Sequence, residues 1–232
     1  MTTAKEPKNT SNGQVGKIPK RKLLKSDLQR MRIPRRFWPR MKKPLDDFED
    51  KKILIKYYNE ICDKVRKGES LILSGPNDIG KTTFACEIIK EARRYGYYGF
   101  FIRAYDYIDA CFLKEMYNRE MTIPERTKEV DVLILDDLGK ELGGSDRAIG
   151  MLASLIKYRV EECKTTIITT NISTPKEFIV DYGVSFQRSM RGVYHWINFE
   201  GPSYRDKMAR ELKKEYEDDA LEAGKEVQRA EK

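Results

Sequence analysis

A chain of 232 residues, 40% hydrophobic and 35% charged, suits one ordinary domain plus tails and is long enough to bury a core. No apolar run approaches the roughly 20 residues that span a bilayer, and the N-terminus lacks the apolar stretch of a secretory signal, so a cytoplasmic protein with no membrane partner is expected. The net charge of +8 is unevenly placed: residues 1–43 carry fourteen Lys/Arg against two acids, and the remainder is mildly acidic. A basic arm on an acidic body suggests contact with nucleic acid or an acidic protein surface. Cys62, Cys86, Cys111 and Cys163 contain no C-x-x-C pair, and His195 is the only histidine. That argues against a zinc site or a disulfide framework and for reduced thiols.

In chain order, residues 1–20 are polar and without periodicity. Residues 21–43 interleave Lys/Arg with Leu23, Leu24, Leu28, Met31, Ile33, Phe37 and Trp38, which reads as a short helix followed by an extended Pro34–Pro39 segment. Phe48, Ile53, Leu54, Tyr57, Ile61 and Val65 predict one helix over 45–67. An alternating pattern follows. Strands are expected at 71–74, 97–102, 130–135, 166–170 and 196–199. Helices are expected at 80–95, with Phe84, Ile88 and Ala92 on one face, and at 105–118, 146–162, 176–182 and 203–223. Thr174-Pro175 supplies an opening for the helix at 176–182. The apolar run Val130–Leu135 suits a strand covered on both faces. Alternation of this kind predicts an α/β fold, a mainly parallel sheet with helices on both faces.

The first strand runs into Gly75-Pro76-Asn77-Asp78-Ile79-Gly80-Lys81-Thr82 and a helix follows, which fits G-x-x-x-x-G-K-[ST] at every fixed position. The spacing has a chemical reason. A loop that wraps a triphosphate aims its backbone N–H groups inward, and the helix N-terminus adds partial positive charge. Gly75 and Gly80 permit close backbone approach, Lys81 reaches the β- and γ-phosphates, and Thr82, followed by Thr83, offers a hydroxyl to Mg²⁺. The loop therefore predicts binding of ATP with Mg²⁺. Farther on, Val130–Leu135 delivers Asp136 and Asp137 at the strand's carboxyl end, where open α/β sheets bind ligands. Asp136 is the candidate Mg²⁺ holder and Asp137 the residue that polarises the attacking water, with Glu141 as an alternative. Asn171, closing the strand Thr166–Thr170, is placed to hold that water. Arg188 or Arg191 is the candidate for transition-state charge supplied to a neighbouring subunit.

These pieces in this order resemble the DnaC/DnaI/IstB group of AAA+ ATPases, over roughly residues 33–207. The resemblance rests on Ile33-Pro34-Arg35-Arg36-Phe37, Gly75–Thr83, Leu133–Gly139, Tyr158-Arg159, Thr165–Asn171, and Trp196-Ile197-Asn198-Phe199 leading to Ser203-Tyr204-Arg205. It implies a five-stranded P-loop core at 44–202, between an N-terminal arm at 1–43 and a charged C-terminal helix and tail at 203–232; as a departure from the family pattern, the few residues after the last strand lead one to expect a lid domain truncated or absent. It also implies homo-oligomers with ATP at the subunit interface and Arg188 acting in trans. The implied partners are a hexameric replicative helicase gripped by the stretch at about 21–43, and single-stranded DNA. An IstB-like transposition helper acting on duplex DNA, or a switch that barely hydrolyses, shares the same site. For DNA contact, Phe100, Phe101, Tyr105 and Tyr107 are candidates that suit core packing equally well, and Lys140 and Arg147, flanking the Gly143-Gly144 loop, are candidates to face a central strand of DNA.

Overall fold

The structure, a computed structural model, describes residues 19–39, 41, 47–117, 123–139, 145–204, 206, 209, 210 and 213, with only the backbone for 115–117. Five strands form one sheet: β1 (Ser70–Ser74), β2 (Gly99–Arg103), β3 (Val132–Leu138), β4 (Thr165–Thr170) and β5 (Tyr194–Asn198). Their spatial order is β2-β3-β4-β1-β5 and every pairing is parallel. Alternate residues along each strand face opposite layers. Leu71, Leu73, Phe101, Ile134, Ile167 and Ile197 pack on the side of helix α4 (Lys81–Arg94). Ile72, Phe100, Ile102, Leu133, Leu135 and Ile168 pack on the side of α5 (Ala104–Tyr117) and α7 (Asp146–Glu161). The central strands are buried on both faces, which is why their sequences are nearly uninterrupted apolar runs.

Three differences from the sequence reading concern local geometry. The helix expected at 45–67 is two, α2 (Lys51–Asn59) and α3 (Ile61–Arg66), jointed at Glu60, whose φ of −99° and ψ of 20° leave the helical range. Leu54, Tyr57, Ile61 and Val65 stay on the buried side of the joint, whereas Ile53 is 52% exposed. Pro34–Pro39 is not extended: Phe37 donates to the Pro34 carbonyl and Trp38 to that of Arg35, closing a 3₁₀ turn at Arg35–Phe37. Two short helices were not foreseen, α6 (Ile123–Glu129) and, beyond α8 (Pro175–Tyr182), α9 (Val184–Met190). Thr174 caps α8 as expected, its hydroxyl accepting from Glu177 N–H. Of the helix expected at 203–223, Ser203 is not helical, Tyr204, Asp206, Ala209, Arg210 and Lys213 are helical, and the rest lies outside the described residues.

Residues 19–39 and 41, grouped from sequence with a separate arm, lie on the body as a strap. Arg21 N–H donates to the Arg94 carbonyl, α1 (Lys25–Arg30) follows, and the Met31 carbonyl accepts from Phe101 N–H at 2.8 Å on the outer edge of β2. That contact covers part of an edge that would otherwise offer unpaired groups. Leu28, Met31 and Ile33 are buried against α4, each contributing about 1.5–3 kcal/mol by burial. The strap changes what α4 is. Instead of one apolar stripe and a solvated back, α4 is buried from Phe84 to Ala92, with Glu87, Lys90 and Glu91 included. Those charges are paired: Lys90 binds Glu87 at 2.7 Å and the Pro39 carbonyl at 3.1 Å, and Glu91 receives Lys20 and Arg94. Past the strap, Phe48 stacks on Phe199 at the end of β5, with ring centroids 5.0 Å apart.

A second buried charge holds the opposite end of the sheet. Arg159, fully buried on α7, donates to the Thr166 hydroxyl and to the carbonyls of Thr127, Lys128, Val130, Asp131 and Thr165. It thereby ties α6 to the start of β4. Burial pulls its guanidinium down to about 10, and the carbonyl cage keeps it satisfied.

Candidate functional site

The phosphate loop leaves β1 at Gly75, whose φ is 131°. A Cβ there would lie 2.4 Å from the Phe199 carbonyl oxygen, so only glycine lets the loop pass the end of β5. Gly80, with φ 100°, caps α4 in the left-handed region, and Asp78 also has positive φ at 63°. Ile79 is buried and anchors the loop's far side in the core, while Asn77 is exposed and Thr83 half-buried. Tyr204 N–H donates to the Asp78 carbonyl at 2.8 Å, and its ring lies over Gly80. The Ser203-Tyr204 segment, far away in sequence, thus closes one side of the loop.

Lys81 is buried at the N-terminus of α4, and its ammonium uses all three donors. They go to the carbonyls of Gly75 at 2.6 Å and Pro76 at 2.5 Å, and to Asn171 Oδ1 at 3.0 Å. Burial pulls its pKa down to about 8 against the opposing charges of Asp137, Asp136 and Asp78. Thr82 Oγ1 donates to Asp136 Oδ1 at 2.8 Å, joining the loop to the end of β3. Asp136 is 4% exposed. Burial pushes its carboxyl up to about 6, with the hydroxyls of Thr169 and Thr82 opposing that rise and the charge of Asp137 adding to it. Lys81, Thr82, Asp136 and Asn171 therefore converge at the carboxyl ends of β1, β3 and β4.

Adjacent Asp137 sits differently. The β3–β4 register passes from Leu135↔Ile168 to Leu138↔Thr170, three residues on one strand against two on the other, which is a bulge. Asp137 occupies it with φ 55°, an arrangement that costs about 1–3 kcal/mol and is concentrated at functional sites. Its carboxylate is exposed. The donor set fits a hard divalent cation: a buried carboxylate whose described partners are neutral hydroxyls, next to a threonine oxygen and a second, open carboxylate.

Arg188 is not part of this network. It lies on the exposed side of α9, one helical turn from the exposed Val184. Arg191 is exposed just beyond α9, and Glu141 and Lys140 lie outside the described residues. Phe100, Phe101 and Tyr107 are core side chains, and Tyr105 is 61% exposed. Arg147 lies over the Phe112 ring. His195 Nε2 is 3.2 Å from Glu69, none of the four cysteines forms a disulfide, and among the described residues no three His, Cys, Asp or Glu side chains gather into one group. Near the acids, the sequence reading noted Thr169 only within the polar strand end before Asn171, without its contact to them, and did not single out Arg103. Thr169 Oγ1 donates to Asp136 Oδ1 at 2.7 Å and accepts from Asp137 N–H at 2.9 Å. Arg103, the register partner of Asp136 on β2, adds a nearby positive charge. Both depend on which strands are neighbours, which periodicity does not reveal.

Comparison with known proteins bears on the family and the fold. A 77-residue stretch is 34% identical to the insertion sequence IS1162 ATP-binding protein of Pseudomonas fluorescens, and covers 33% of each chain. The aligned stretch thus spans about a third of the length of that curated relative. The fold is that of the DnaC helicase loader structure, with a TM-score of 0.63 and 21% identity over 72% of this chain and 100% of that one. It is also that of the DnaI structure, with a TM-score of 0.57 and 21% identity over 74% and 93%. The family model of IstB-like ATP binding proteins matches residues 43–183, from the end of the strap to the joint between α8 and α9. With its P-loop, five-stranded AAA+ fold and ATP-binding family match, the chain belongs to the IstB-like ATP binding proteins.

Proposed function

We propose that the chain is an ATPase that hydrolyses ATP between its own subunits and uses the cycle to load a replicative DNA helicase onto single-stranded DNA. The observation that carries the ATPase part is the convergence of Lys81 with Asn171 and of Thr82 with Asp136, across three strand ends. In this reading Lys81 and the loop's N–H groups bind the β- and γ-phosphates, relieving the desolvated ammonium. Thr82 and Asp136 hold Mg²⁺, which when bound neutralises phosphate charge. Asp137, open to solvent beside them, accepts the proton of the attacking water, and Asn171 orients that water. Arg188 reaches the γ-phosphate of the neighbouring subunit, with Val184 on the same face of α9 as an apolar neighbour at the contact.

The test is a mixing experiment. Arg188→Ala should bind ATP but hydrolyse it at least about 100-fold more slowly, the scale of a transition-state arginine, and Lys81→Ala should neither bind nor hydrolyse. Mixed together they should recover activity, because the Lys81→Ala subunit still offers its arginine. An Arg188→Ala protein that hydrolyses at the wild-type rate would sink the trans assignment.

For the partner, the strap supports contact through its exposed Arg32, Arg35 and Arg36, while Leu28, Met31 and Ile33 belong to the core. A transposition helper acting on duplex DNA is the second reading, favoured by the identity to the insertion-sequence protein. Affinity capture from the native cell decides between them: a hexameric helicase in the eluate supports the loader, and a transposase supports the helper.

A further inference from the structure

Thr169 has no assigned role, yet among the described residues its hydroxyl bonds to both acids. A threonine hydroxyl has one proton to give and two lone pairs. Here the proton goes to Asp136 Oδ1 at 2.7 Å, and one lone pair accepts the N–H of Asp137 at 2.9 Å. Thr169 is fully buried, so water does not substitute for it. Asp137 stands in a bulge with φ 55°, a conformation a non-glycine residue keeps only when its surroundings hold it. The Thr169 bond holds the peptide between the two acids. Thr82 donates to the same Oδ1, so both hydroxyl protons converge on one carboxylate oxygen.

We propose that Thr169 is a positioning residue that fixes the Asp136 carboxylate and the strained Asp137 backbone as one unit, so that the cation adds its full increment to ATP binding and Asp137 is aimed for hydrolysis. The proposal rests on the reading that Thr82 and Asp136 hold the cation. A hydrogen bond to a charged group is worth roughly 1.5–3 kcal/mol, or about a ten- to hundredfold effect. Thr169→Val keeps the branched shape a strand favours and removes only the hydroxyl.

The experiment measures binding of a fluorescent ATP analogue to the full chain in EDTA and in Mg²⁺, alongside steady-state hydrolysis, for wild type, Thr169→Val and Thr169→Ser. Thr169→Val should keep its EDTA affinity within about threefold and lose about tenfold or more of the Mg²⁺-dependent gain. Its kcat should fall by a similar factor while KM changes far less, and Thr169→Ser should restore all of these. Three results would overturn the proposal: a Thr169→Val protein with the wild-type Mg²⁺ gain, an equal loss with and without the cation, or no rescue by serine. No Mg²⁺ effect on wild-type affinity would overturn it as well. A wild-type protein that gains affinity with Mg²⁺ but never hydrolyses would overturn the ATPase reading alone, and the binding measurements would still decide the role of Thr169.

Discussion

Adding a single methyl group at Gly75 isolates how the phosphate loop is held. At φ 131° an alanine costs about 1–3 kcal/mol in backbone strain alone. Its Cβ would also stand 2.4 Å from the Phe199 carbonyl oxygen and 2.8 Å from Ile79 Cδ1, where real Cβ atoms essentially never come within 3.0 Å. The Ile79 methyl can turn aside, but Phe199 cannot: its N–H binds the Ser74 carbonyl at 2.8 Å and its ring is buried between Phe48 and Phe84. Overpacking against such a fixed group adds about 1–3 kcal/mol. The total is therefore about 2–6 kcal/mol, and at about 2–4 °C per kcal/mol for a chain of this size the melting temperature should fall by roughly 5–20 °C. Gly80→Ala is the control. It has φ 100°, but its Cβ would meet only the Tyr204 ring at 3.7 and 3.9 Å, so the backbone cost stands alone. Calorimetry and nucleotide titration on the two variants give the comparison. Gly75→Ala should be the less stable and should lose more ATP affinity, because the carbonyls of Gly75 and Pro76 that hold Lys81 move with the loop. Equal losses at the two glycines would refute the claim that the end of β5 sets the position of the loop.

Two further predictions concern buried charge. The Asp136 carboxyl stands at about 6 in the fold against an ordinary value near 3.8, so keeping it ionised costs the nucleotide-free protein about 2–3 kcal/mol. The penalty is absent below about pH 4, grows between the two values and is complete above about pH 6. Asp136→Asn should therefore raise stability at pH 7, lose that advantage at pH 4, and abolish the Mg²⁺-dependent gain in ATP binding. Urea unfolding at both pH values checks this, and a variant less stable than wild type at pH 7 contradicts it. Arg159→Leu removes the donor shared by the Thr166 hydroxyl and five carbonyls, three of them within 3.0 Å. Stranding those acceptors should cost at least about 3–5 kcal/mol, seen as a lower urea midpoint; a loss under about 1 kcal/mol would show that water replaces the guanidinium.

Much of the site was legible because its chemistry is local. From Gly75 to Thr82 a strand end, a turn and a helix start follow one another along the chain, and each fixed residue has a reason within eight positions. Asp136 was legible for the same reason, as an acid directly after an apolar strand. Thr169 and Arg103 were not, since both gain meaning only from the strands beside β3. The strap was misread because its charge was averaged over 1–43. Its apolar Leu28, Met31 and Ile33 are interleaved with arginines, a pattern that suits a basic arm as well as a segment with one buried side.

By itself, the sequence determined the α/β alternation, the triphosphate loop and the family, because hydrophobic period and turn chemistry act between near neighbours. Only the tertiary structure decided that α4 is enclosed, that Glu87, Lys90 and Glu91 lie paired in its buried back, and that Tyr204 closes the loop at Asp78 from 126 positions further along the chain. It also decided that the two acids share one threonine. These outcomes rest on strand order and on which segment covers which face. They are set by the summed burial of residues far apart in the chain, and no stretch of sequence contains that sum.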